Sequence, residues 1–403
     1  MTHIRSNPIF LIMLCFCANV ICFLDRVNIS IAAPFIMQHY GWSENEMGII
    51  FSAFFVGYVI FMIPGGIVAD RYGPRIVLAG GMAFWSIFTC LTPLFSGIWS
   101  MSMCRFLIGT GQGANYPGIN NLIAHQVPPS HRAKVQGFTL SGNTIGAVVG
   151  LPVGSWIILT WGWPSIFYLF GLTGIVWILF WFYANRRETP DAANTMEGQR
   201  GPVPWKTLLG HRSALGLTGS YFCHNYAAFM FLVWLPTYLI NVHGFSLAAT
   251  GVGAMVPALA STVFMNLSGW LSDAMTKRGT SPEFSRKCLL VIGMGLSGVF
   301  LFTVPLIQSP YLILAVITFS SASRSVSTPI YWALSVDMAP RHAGILSSIM
   351  NTAGNVAGIA ASAITGWIVG SYGNWNLVIC LGAATTVLGV IIALPTVRAS
   401  EIV

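Results

Sequence analysis

The distribution of basic residues along this chain constrains its fold more than any other feature. Three of the nineteen Lys and Arg residues, Arg26, Arg105 and Arg324, lie inside long apolar stretches. The other sixteen lie between such stretches, and all of them fall on one side if each stretch crosses a membrane. Basic residues concentrate in the cytoplasmic loops of membrane proteins. The sequence therefore predicts an integral membrane protein whose basic side faces the cytoplasm.

The composition excludes several other classes of protein. Charged residues make up 7% of the 403 residues and hydrophobic residues 55%, whereas a soluble domain contains about 25% charged residues. The net charge of +8 is spread over short connections and forms no basic patch, so we expect no nucleic-acid partner. The eight cysteines form no CxxC pair, and the sequence contains no P-loop or HExxH motif. We therefore expect no metal, no cofactor, no ATP-driven pump and no enzyme.

Hydrophobic segments predict twelve transmembrane helices, because a bilayer core of about 30 Å requires roughly 20 apolar residues per helix. Arg5 precedes the first segment and no small-residue cleavage site follows, so we expect this segment to be retained. Both termini then lie in the cytoplasm. Spans 1 to 6 are predicted at 8–36, 47–69, 76–95, 99–124, 133–160 and 164–185. Spans 7 to 12 are predicted at 213–240, 248–272, 287–307, 310–336, 342–370 and 375–396.

The twelve spans form two similar halves. Residues 186–212 are the longest and most polar connection, and they separate a predicted six-helix bundle at 1–185 from another at 213–403. Spans 2 and 8 both end in a Gly-x-x-x-Asp sequence. Small residues spaced by four, which allow close helix packing, occupy the equivalent spans 5 and 11. They are Gly142, Gly146, Gly150 and Gly154 in span 5, and Gly354, Gly358, Ser362 and Gly366 in span 11.

The segment from Gly66 to Arg75, GIVADRYGPR, resembles the signature of the major facilitator superfamily, with a degenerate copy at 269–278. Shorter motifs resemble its anion:cation symporter branch, which includes bacterial carriers of galactonate, glucarate and hexuronates. The resemblance implies a monomeric secondary transporter of the inner (cytoplasmic) membrane, which moves a sugar acid or another small organic anion by alternating access with proton symport. The shorter motifs that resemble the symporter branch are LDRVN (24–28), RFLIG (105–109), NYP (115–117), WLP (234–236) and YWA (331–333).

The resemblance also implies which residues bind the substrate, because the family lines its central cavity at the matching positions. The guanidinium groups of Arg26 and Arg105 suit a carboxylate. The competing interpretation is a permanent pair between Asp25 and one arginine. We favour the functional role because ionisable residues inside membrane spans are usually functional. The predicted substrate-binding residues are Arg26, Tyr58, Arg105, Gln112, Asn143, Trp332 and Asn351.

The proton carrier is the main departure from the family pattern. Where this branch commonly has a glutamate, the chain has Gln112, which has no titratable proton. Asp25 is the carboxylate placed deep in the central spans, and we predict that it carries the coupled proton. His224, in the middle of span 7, is the alternative, although a lone histidine is more often a neutral hydrogen-bonded residue. Arg324 either lines the cavity or gates its outer mouth.

A further group is predicted to act on conformation. The resemblance places Asp70 beside the N-terminus of span 11, where the helix dipole favours a negative charge, and this contact holds the cytoplasmic side closed. Gly66, Arg71 and Arg75 belong to the same motif, and Asp273 is the counterpart in the second half. Three other functions remain open: a uniporter or exchanger without proton coupling, a drug exporter, and a sensor without net flux.

Overall fold

The computed structural model describes residues 8–184, 209–339 and 343–397. The chain divides into two compact units. Unit 1 comprises residues 1–200 together with 245–252, and unit 2 comprises 201–244 and 253–403. Most of the predicted linker, 186–212, lies outside the described residues. The predicted division into two bundles joined by this linker stays a prediction.

The described residues are almost entirely helical. The first six helices are α1 Pro8–Tyr40, α2 Glu44–Leu91, α3 Ile98–Gly113, α4 Asn115–Gln126, α5 Pro129–Trp161 and α6 Pro164–Ala184. The other seven are α7 Arg212–Asn241, α8 Leu247–Lys277, α9 Pro282–Thr303, α10 Pro310–Ser325, α11 Thr328–Met338, α12 Ala343–Tyr372 and α13 Trp375–Thr396. The all-α fold is therefore as predicted.

Nine helical segments among the described residues are long and apolar enough to cross a membrane. They correspond to predicted spans 1, 2, 3, 5, 6, 8, 9, 11 and 12. Span 7 corresponds to the 30-residue helix α7, whose middle contains the polar residues His224 and Asn225. Spans 4 and 10 correspond to shorter helices. The full count of twelve spans and the cytoplasmic position of the termini stay predictions.

The structure corrects the connection between spans 2 and 3. The sequence predicts two helices separated by residues 70–75, but α2 runs from Glu44 to Leu91 with one interruption. The interruption is Gly73, whose φ of 79° and ψ of 158° are not helical. A positive φ is accessible to glycine without a steric penalty. Pro74 follows immediately and starts the second segment, as proline does at a helix N-terminus.

Spans 4 and 10 are each predicted as one helix, and both predictions are wrong in the same way. Span 4 breaks at Ala114 between α3 and α4, and span 10 breaks between Ser325 and Thr328. In each case a proline, Pro117 or Pro329, lies four residues after the last residue of the first helix. Proline has no N–H to donate to the carbonyl four residues earlier. The two breaks occupy equivalent places in the two halves.

The glycines of α5 allow α1 to approach closely. A Cβ atom added at Gly142 would lie 2.5 Å from the carbonyl oxygen of Phe16, and one at Gly150 would lie 2.8 Å from Val27 Cγ2. Both distances are shorter than real Cβ contacts, and at Gly142 the close atom is a backbone oxygen that cannot turn aside as a side chain can. This contact fixes the polar middle of α1 within unit 1. The predicted role of the glycine spacing in span 5 is therefore confirmed.

In unit 2 the corresponding helices are α7 and α12. A Cβ atom at Gly354 of α12 would lie 2.7 Å from the ring of Tyr221 and 2.9 Å from Nδ2 of Asn225, both on α7. Tyr221, Met294 and Tyr331 belong to the buried core that joins α7, α9 and α11. The tight α7–α12 contact therefore places Tyr221, and His224 one turn later, at the inside of unit 2.

Candidate functional site

A cluster of polar and charged side chains occupies the interior of unit 1. Asp25 and Arg26 lie on α1, Tyr58 lies on α2, and Arg105 and Gln112 lie on α3. All five are buried, and even Arg26 exposes only 7% of its surface. Burying an ion inside a protein costs several kcal/mol unless it is paired. Two arginines in such a place therefore require a specific role.

Arg26 is held in one orientation by its neighbours. Its Nε atom donates a hydrogen bond to Oε1 of Gln112 at 3.2 Å. Its Cζ atom lies 4.7 Å from the ring centroid of Tyr58 and 5.3 Å from that of Phe54, which are cation–π distances. Its Nη2 atom is buried and has no hydrogen-bond partner among the described residues. Arg26 therefore keeps a fixed amino group without an acceptor.

Gln112 connects α3 to α1 through both ends of its amide. Its Oε1 atom accepts from Arg26 and also from Sγ of Cys22 at 3.1 Å. Its Nε2 atom donates to the carbonyl oxygen of Cys22 at 3.3 Å. This geometry makes Gln112 a positioning residue for Arg26. The predicted direct contact between Gln112 and the substrate stays a prediction.

Arg105 reaches α1 through the backbone. Its Nη1 atom donates to the carbonyl oxygen of Asp25 at 3.4 Å, and its Cζ atom lies 5.0 Å from the ring centroid of Phe54. Its Nε atom is buried without a hydrogen-bond partner in the described part of the chain. Phe54 therefore lies beside both guanidinium groups. Sequence reasoning did not identify Phe54, because a phenylalanine in an apolar span carries no distinguishing signal.

The carboxylate of Asp25 forms no ion pair with either arginine. Between the described residues, the one ion pair found within 4 Å joins Arg286 and Asp337. Asp25 Oδ1 accepts a long hydrogen bond of 3.5 Å from Asn28. Trp85 lies beside Asp25, but its Nε1 and Oδ2 of Asp25 both remain without a hydrogen-bond partner among the described residues. A permanent Asp25–arginine pair is thus not what the structure contains.

Asparagine residues connect α1, α4 and α5 to one another. Nδ2 of Asn143 donates to the hydroxyl of Tyr116 at 2.6 Å. Nδ2 of Asn115 donates to Oδ1 of Asn19 at 2.9 Å, and Asn19 in turn donates to the carbonyl of Thr139 at 2.7 Å. Sequence reasoning predicted Asn143 but missed Asn19. No sequence signal identifies Asn19, because its contact depends on the break in span 4, which places Asn115 and Tyr116 at the start of α4.

The remaining predicted site residues belong to unit 2. His224 Nε2 lies 3.3 Å from Oγ1 of Thr328, and the His224 ring stacks on Tyr221 with a centroid distance of 5.7 Å. Trp332 exposes 40% of its surface. Asn351 is half-buried, and its carbonyl oxygen accepts from Nδ2 of Asn355 at 2.9 Å. The structure thus brings Asp25, Arg26, Tyr58, Arg105 and Gln112 together in unit 1, whereas His224, Trp332 and Asn351 lie in unit 2.

The side chains of Asp70 and Asp273 lie outside the described ones. A Cβ atom at Gly66 would have one neighbour, Pro117 Cβ, at 3.7 Å. Arg71 Cζ lies 5.5 Å from the ring of Tyr72. The carbonyl of Arg75 accepts a hydrogen bond of 3.0 Å from Trp181 Nε1. The conformational role of these residues stays a prediction.

Comparison with known proteins agrees with this architecture. Residues 15–282 and 283–402 match the family described as Major Facilitator Superfamily. The chain is 34% identical to the chloroplastic ascorbate transporter of Arabidopsis thaliana over 95% of its own length and 73% of that protein. It is 31% identical to the hexuronate transporter of Bacillus subtilis (strain 168), covering 96% of this chain and 94% of the relative.

Two further similarities have lower identity. The probable sulfoacetate transporter of Cupriavidus necator is 28% identical, with coverage of 97% of this chain and 94% of the relative. A bacterial homolog of the human lysosomal transporter Spinster shares the fold, with a TM-score of 0.77 and 16% identity over 96% of this chain and 94% of that structure. The chain therefore belongs to the Major Facilitator Superfamily and is a multi-pass membrane transporter.

Proposed function

We propose that this protein transports a small organic anion, a sugar acid or another carboxylate, and that Arg26 and Arg105 bind the carboxylate. The observation that supports this most is two buried guanidinium groups without an ion-pair partner among the described residues. Arginine binds carboxylates with paired, charge-assisted hydrogen bonds. Nη2 of Arg26 and Nε of Arg105 are the donors left for such a ligand.

The charge balance of the cluster favours an anionic substrate. Arg26 and Arg105 contribute two positive charges and an ionised Asp25 contributes one negative charge, so the cluster has a net charge of about +1. This charge attracts an anion, and it is larger when Asp25 is protonated. An apolar cation, which a drug exporter would carry, is repelled by it.

Other side chains of unit 1 suit a polyhydroxylated acid. The rings of Phe54 and Tyr58, both close to Arg26, offer apolar faces to the C–H surface of a sugar. The Oδ1 atom of Asn143 is buried without a hydrogen-bond partner among the described residues and can accept from a hydroxyl. Relatives named as hexuronate, sulfoacetate and ascorbate transporters support an anionic substrate.

Proton symport follows if Asp25 carries the proton. Protonation of Asp25 changes the net charge of the cluster from about +1 to about +2, which strengthens the binding of an anion. Arg105 donates to the backbone carbonyl of the same residue, so the proton and the anion act within a short distance of each other. Linkage makes the effect reciprocal: substrate affinity falls as pH rises through the titration of Asp25.

We further propose that the protein works as a monomer in the inner (cytoplasmic) membrane with both termini in the cytoplasm. The basic residues that follow the even-numbered spans support this orientation. Single cysteines placed near each terminus are labelled from the cytoplasmic or the periplasmic face of membrane vesicles. This labelling tests the orientation of the termini. Labelling of a terminus from the periplasmic side contradicts the orientation.

Counterflow in proteoliposomes tests the proposed function. Vesicles loaded with unlabelled hexuronates, aldonates, aldarates or aromatic acids are assayed for uptake of the labelled compound. We expect Arg105→Lys, which keeps the charge but loses the planar fork, to weaken binding by about 1.5–3 kcal/mol, or about 10- to 150-fold. Arg286→Lys is the matched control, because Arg286 is paired with Asp337 in unit 2.

Three results would argue against the proposal. If a folded Arg105→Lys variant binds substrate with wild-type affinity, Arg105 is not part of the binding site. Preference for lipophilic cations over organic acids favours a drug exporter. Saturable binding of an acid without counterflow favours a sensor that produces no net flux.

A further inference from the structure

One residue of α1 holds the amide of Gln112 from both ends. Cys22 donates a hydrogen bond from Sγ to Oε1 of Gln112 at 3.1 Å, and the Cys22 carbonyl oxygen accepts one from Nε2 of the same amide at 3.3 Å. Both residues are fully buried, so these bonds are shielded from bulk water. The amide of Gln112 is therefore attached to α1 at two points.

The chemistry of its neighbours sets the direction of this amide. Nε of Arg26 can only donate a hydrogen bond, and the carbonyl of Cys22 can only accept one. With the amide reversed, its NH2 group would face Nε of Arg26 and its oxygen would face the carbonyl, so both bonds would be lost. The oxygen of Gln112 therefore faces Arg26, and the thiol of Cys22 donates to the same oxygen as a second donor.

Arg26 needs this acceptor because its aromatic neighbours do not select one of its N–H groups. Its Cζ atom lies 4.9 Å from the ring centroid of Phe23, 5.3 Å from that of Phe54 and 4.7 Å from that of Tyr58. Cation–π contacts act on the charge of the guanidinium group as a whole. The hydrogen bond from Nε to Gln112 at 3.2 Å directs one particular N–H group.

The direction of Nε determines the direction of the donor that is left for the substrate. The guanidinium group is planar and rigid, and Nε and Nη2 lie along one edge of its plane. Nη2 of Arg26 is buried without a hydrogen-bond partner among the described residues, and it is one of the donors proposed above for the carboxylate. Gln112 therefore determines where Nη2 points, and Cys22 determines where Gln112 lies.

We propose that Cys22 is a positioning residue for substrate binding, which acts through Gln112 on Arg26. Its thiol holds the amide oxygen and its carbonyl holds the amide nitrogen, so Arg26 presents Nη2 to the anion in one direction. This role of Cys22 rests on the proposed function, in which Arg26 binds the carboxylate. In the competing interpretation, Cys22 only fills space between α1 and α3, and its hydrogen bonds have no effect on affinity.

Substitutions of Cys22 test the role of the thiol in counterflow. The substrate is the labelled hexuronate, aldonate, aldarate or aromatic acid for which the wild type has the highest affinity. Cys22→Ala removes the thiol and keeps the carbonyl, so we expect the apparent affinity to fall by about 2- to 10-fold without a change in the maximal exchange rate. Cys22→Ser supplies a hydroxyl donor and should recover most of this loss. Cys15→Ala removes another buried thiol, two turns earlier on α1, and as the matched control it keeps the wild-type affinity.

A double-mutant cycle tests whether Cys22 acts through Gln112. In a Gln112→Ala background the thiol has no amide to hold, so we expect Cys22→Ala to cause no further loss of affinity. The same cycle is measured on the melting temperatures of the purified full-length variants in detergent, which requires no substrate binding. There the two substitutions together should lower the melting temperature by less than the sum of their separate effects, whereas Cys15→Ala and Gln112→Ala should be additive.

Three results overturn the positioning role of Cys22: wild-type affinity in Cys22→Ala, a Cys22→Ser variant that binds no better than Cys22→Ala, and additive effects of Cys22→Ala and Gln112→Ala on the melting temperature. Arg26→Gln separates this failure from a failure of the proposed function. If Arg26→Gln keeps the wild-type affinity, Arg26 does not bind the anion and the proposed function is wrong. If Arg26→Gln loses affinity and Cys22→Ala does not, only the role of Cys22 is wrong.

Discussion

Gln112→Glu is the most informative substitution in unit 1, because it restores the acid that is common at this position in the branch. Oε1 of Gln112 lies 3.2 Å from Nε of Arg26. Two unit charges at this distance interact by about 5 kcal/mol at an effective dielectric constant of about 20. The net value of a charge-assisted hydrogen bond is about 1.5–3 kcal/mol. An ionised carboxylate there therefore competes with the substrate for Arg26.

We expect Gln112→Glu to weaken substrate binding by about 10- to 150-fold at a pH where the introduced carboxyl is ionised, which is the same 1.5–3 kcal/mol expressed as affinity. Lowering the pH protonates this group and removes the competing charge. Affinity then returns toward the wild-type value. The variant should therefore show a steeper loss of affinity with rising pH than the wild type.

The assay is counterflow or direct binding over a range of pH in proteoliposomes. Asn115→Asp is the matched control, because it is also an amide-to-acid change but its side chain contacts Asn19 and not a guanidinium group. If Gln112→Glu binds substrate like the wild type at every pH, Arg26 does not bind the anion. If both variants lose affinity equally, the loss of affinity comes from the added negative charge in unit 1 and not from competition for Arg26.

Two further predictions concern coupling and packing. Asp25→Asn should still exchange substrate but lose uptake driven by a pH gradient, whereas His224→Gln should keep this gradient-driven uptake. If uptake assays give the opposite result, the coupled proton binds on α7 and not at Asp25. Gly109→Ala should lower the stability by about 1–3 kcal/mol, because a Cβ atom there would lie 2.9 Å from the backbone nitrogen of Tyr58. Gly137→Ala, with nothing within 4 Å, is the control in thermal unfolding, and equal melting temperatures for the two variants contradict the packing argument.

The sequence predicts most of the helices, because hydrophobic length depends on the bilayer and not on tertiary packing. It does not predict the breaks in spans 4 and 10. Proline is tolerated inside many membrane helices: Pro34 and Pro236 lie within α1 and α7 without interrupting them. Whether a proline breaks a helix depends on the neighbouring groups that satisfy the freed carbonyl, and those neighbours are distant in sequence.

Side-chain pairing in the cluster is predictable only in part. Charge inside apolar spans identifies Asp25, Arg26 and Arg105 from the sequence alone. The contact between Gln112 and Cys22, and the approach of Arg105 to the backbone of Asp25, depend on how α1 and α3 rotate against each other. The sequence predicts which helices contain polar residues. The rotation of α1 against α3, however, depends on packing contacts such as those between the α5 glycines and α1.

The number of carboxylates in the cluster limits the stoichiometry of transport. Asp25 is the one carboxylate that the structure places beside Arg26 and Arg105 among the described residues, so this cluster can carry at most one proton per cycle. One proton moving with one monoanion transfers no net charge. We therefore expect uptake of a monocarboxylate to respond to a pH gradient but not to a membrane potential imposed with potassium and valinomycin at equal pH. Uptake driven by the potential alone would require a second proton or another cation, and the assignment of a single proton to Asp25 would then be wrong.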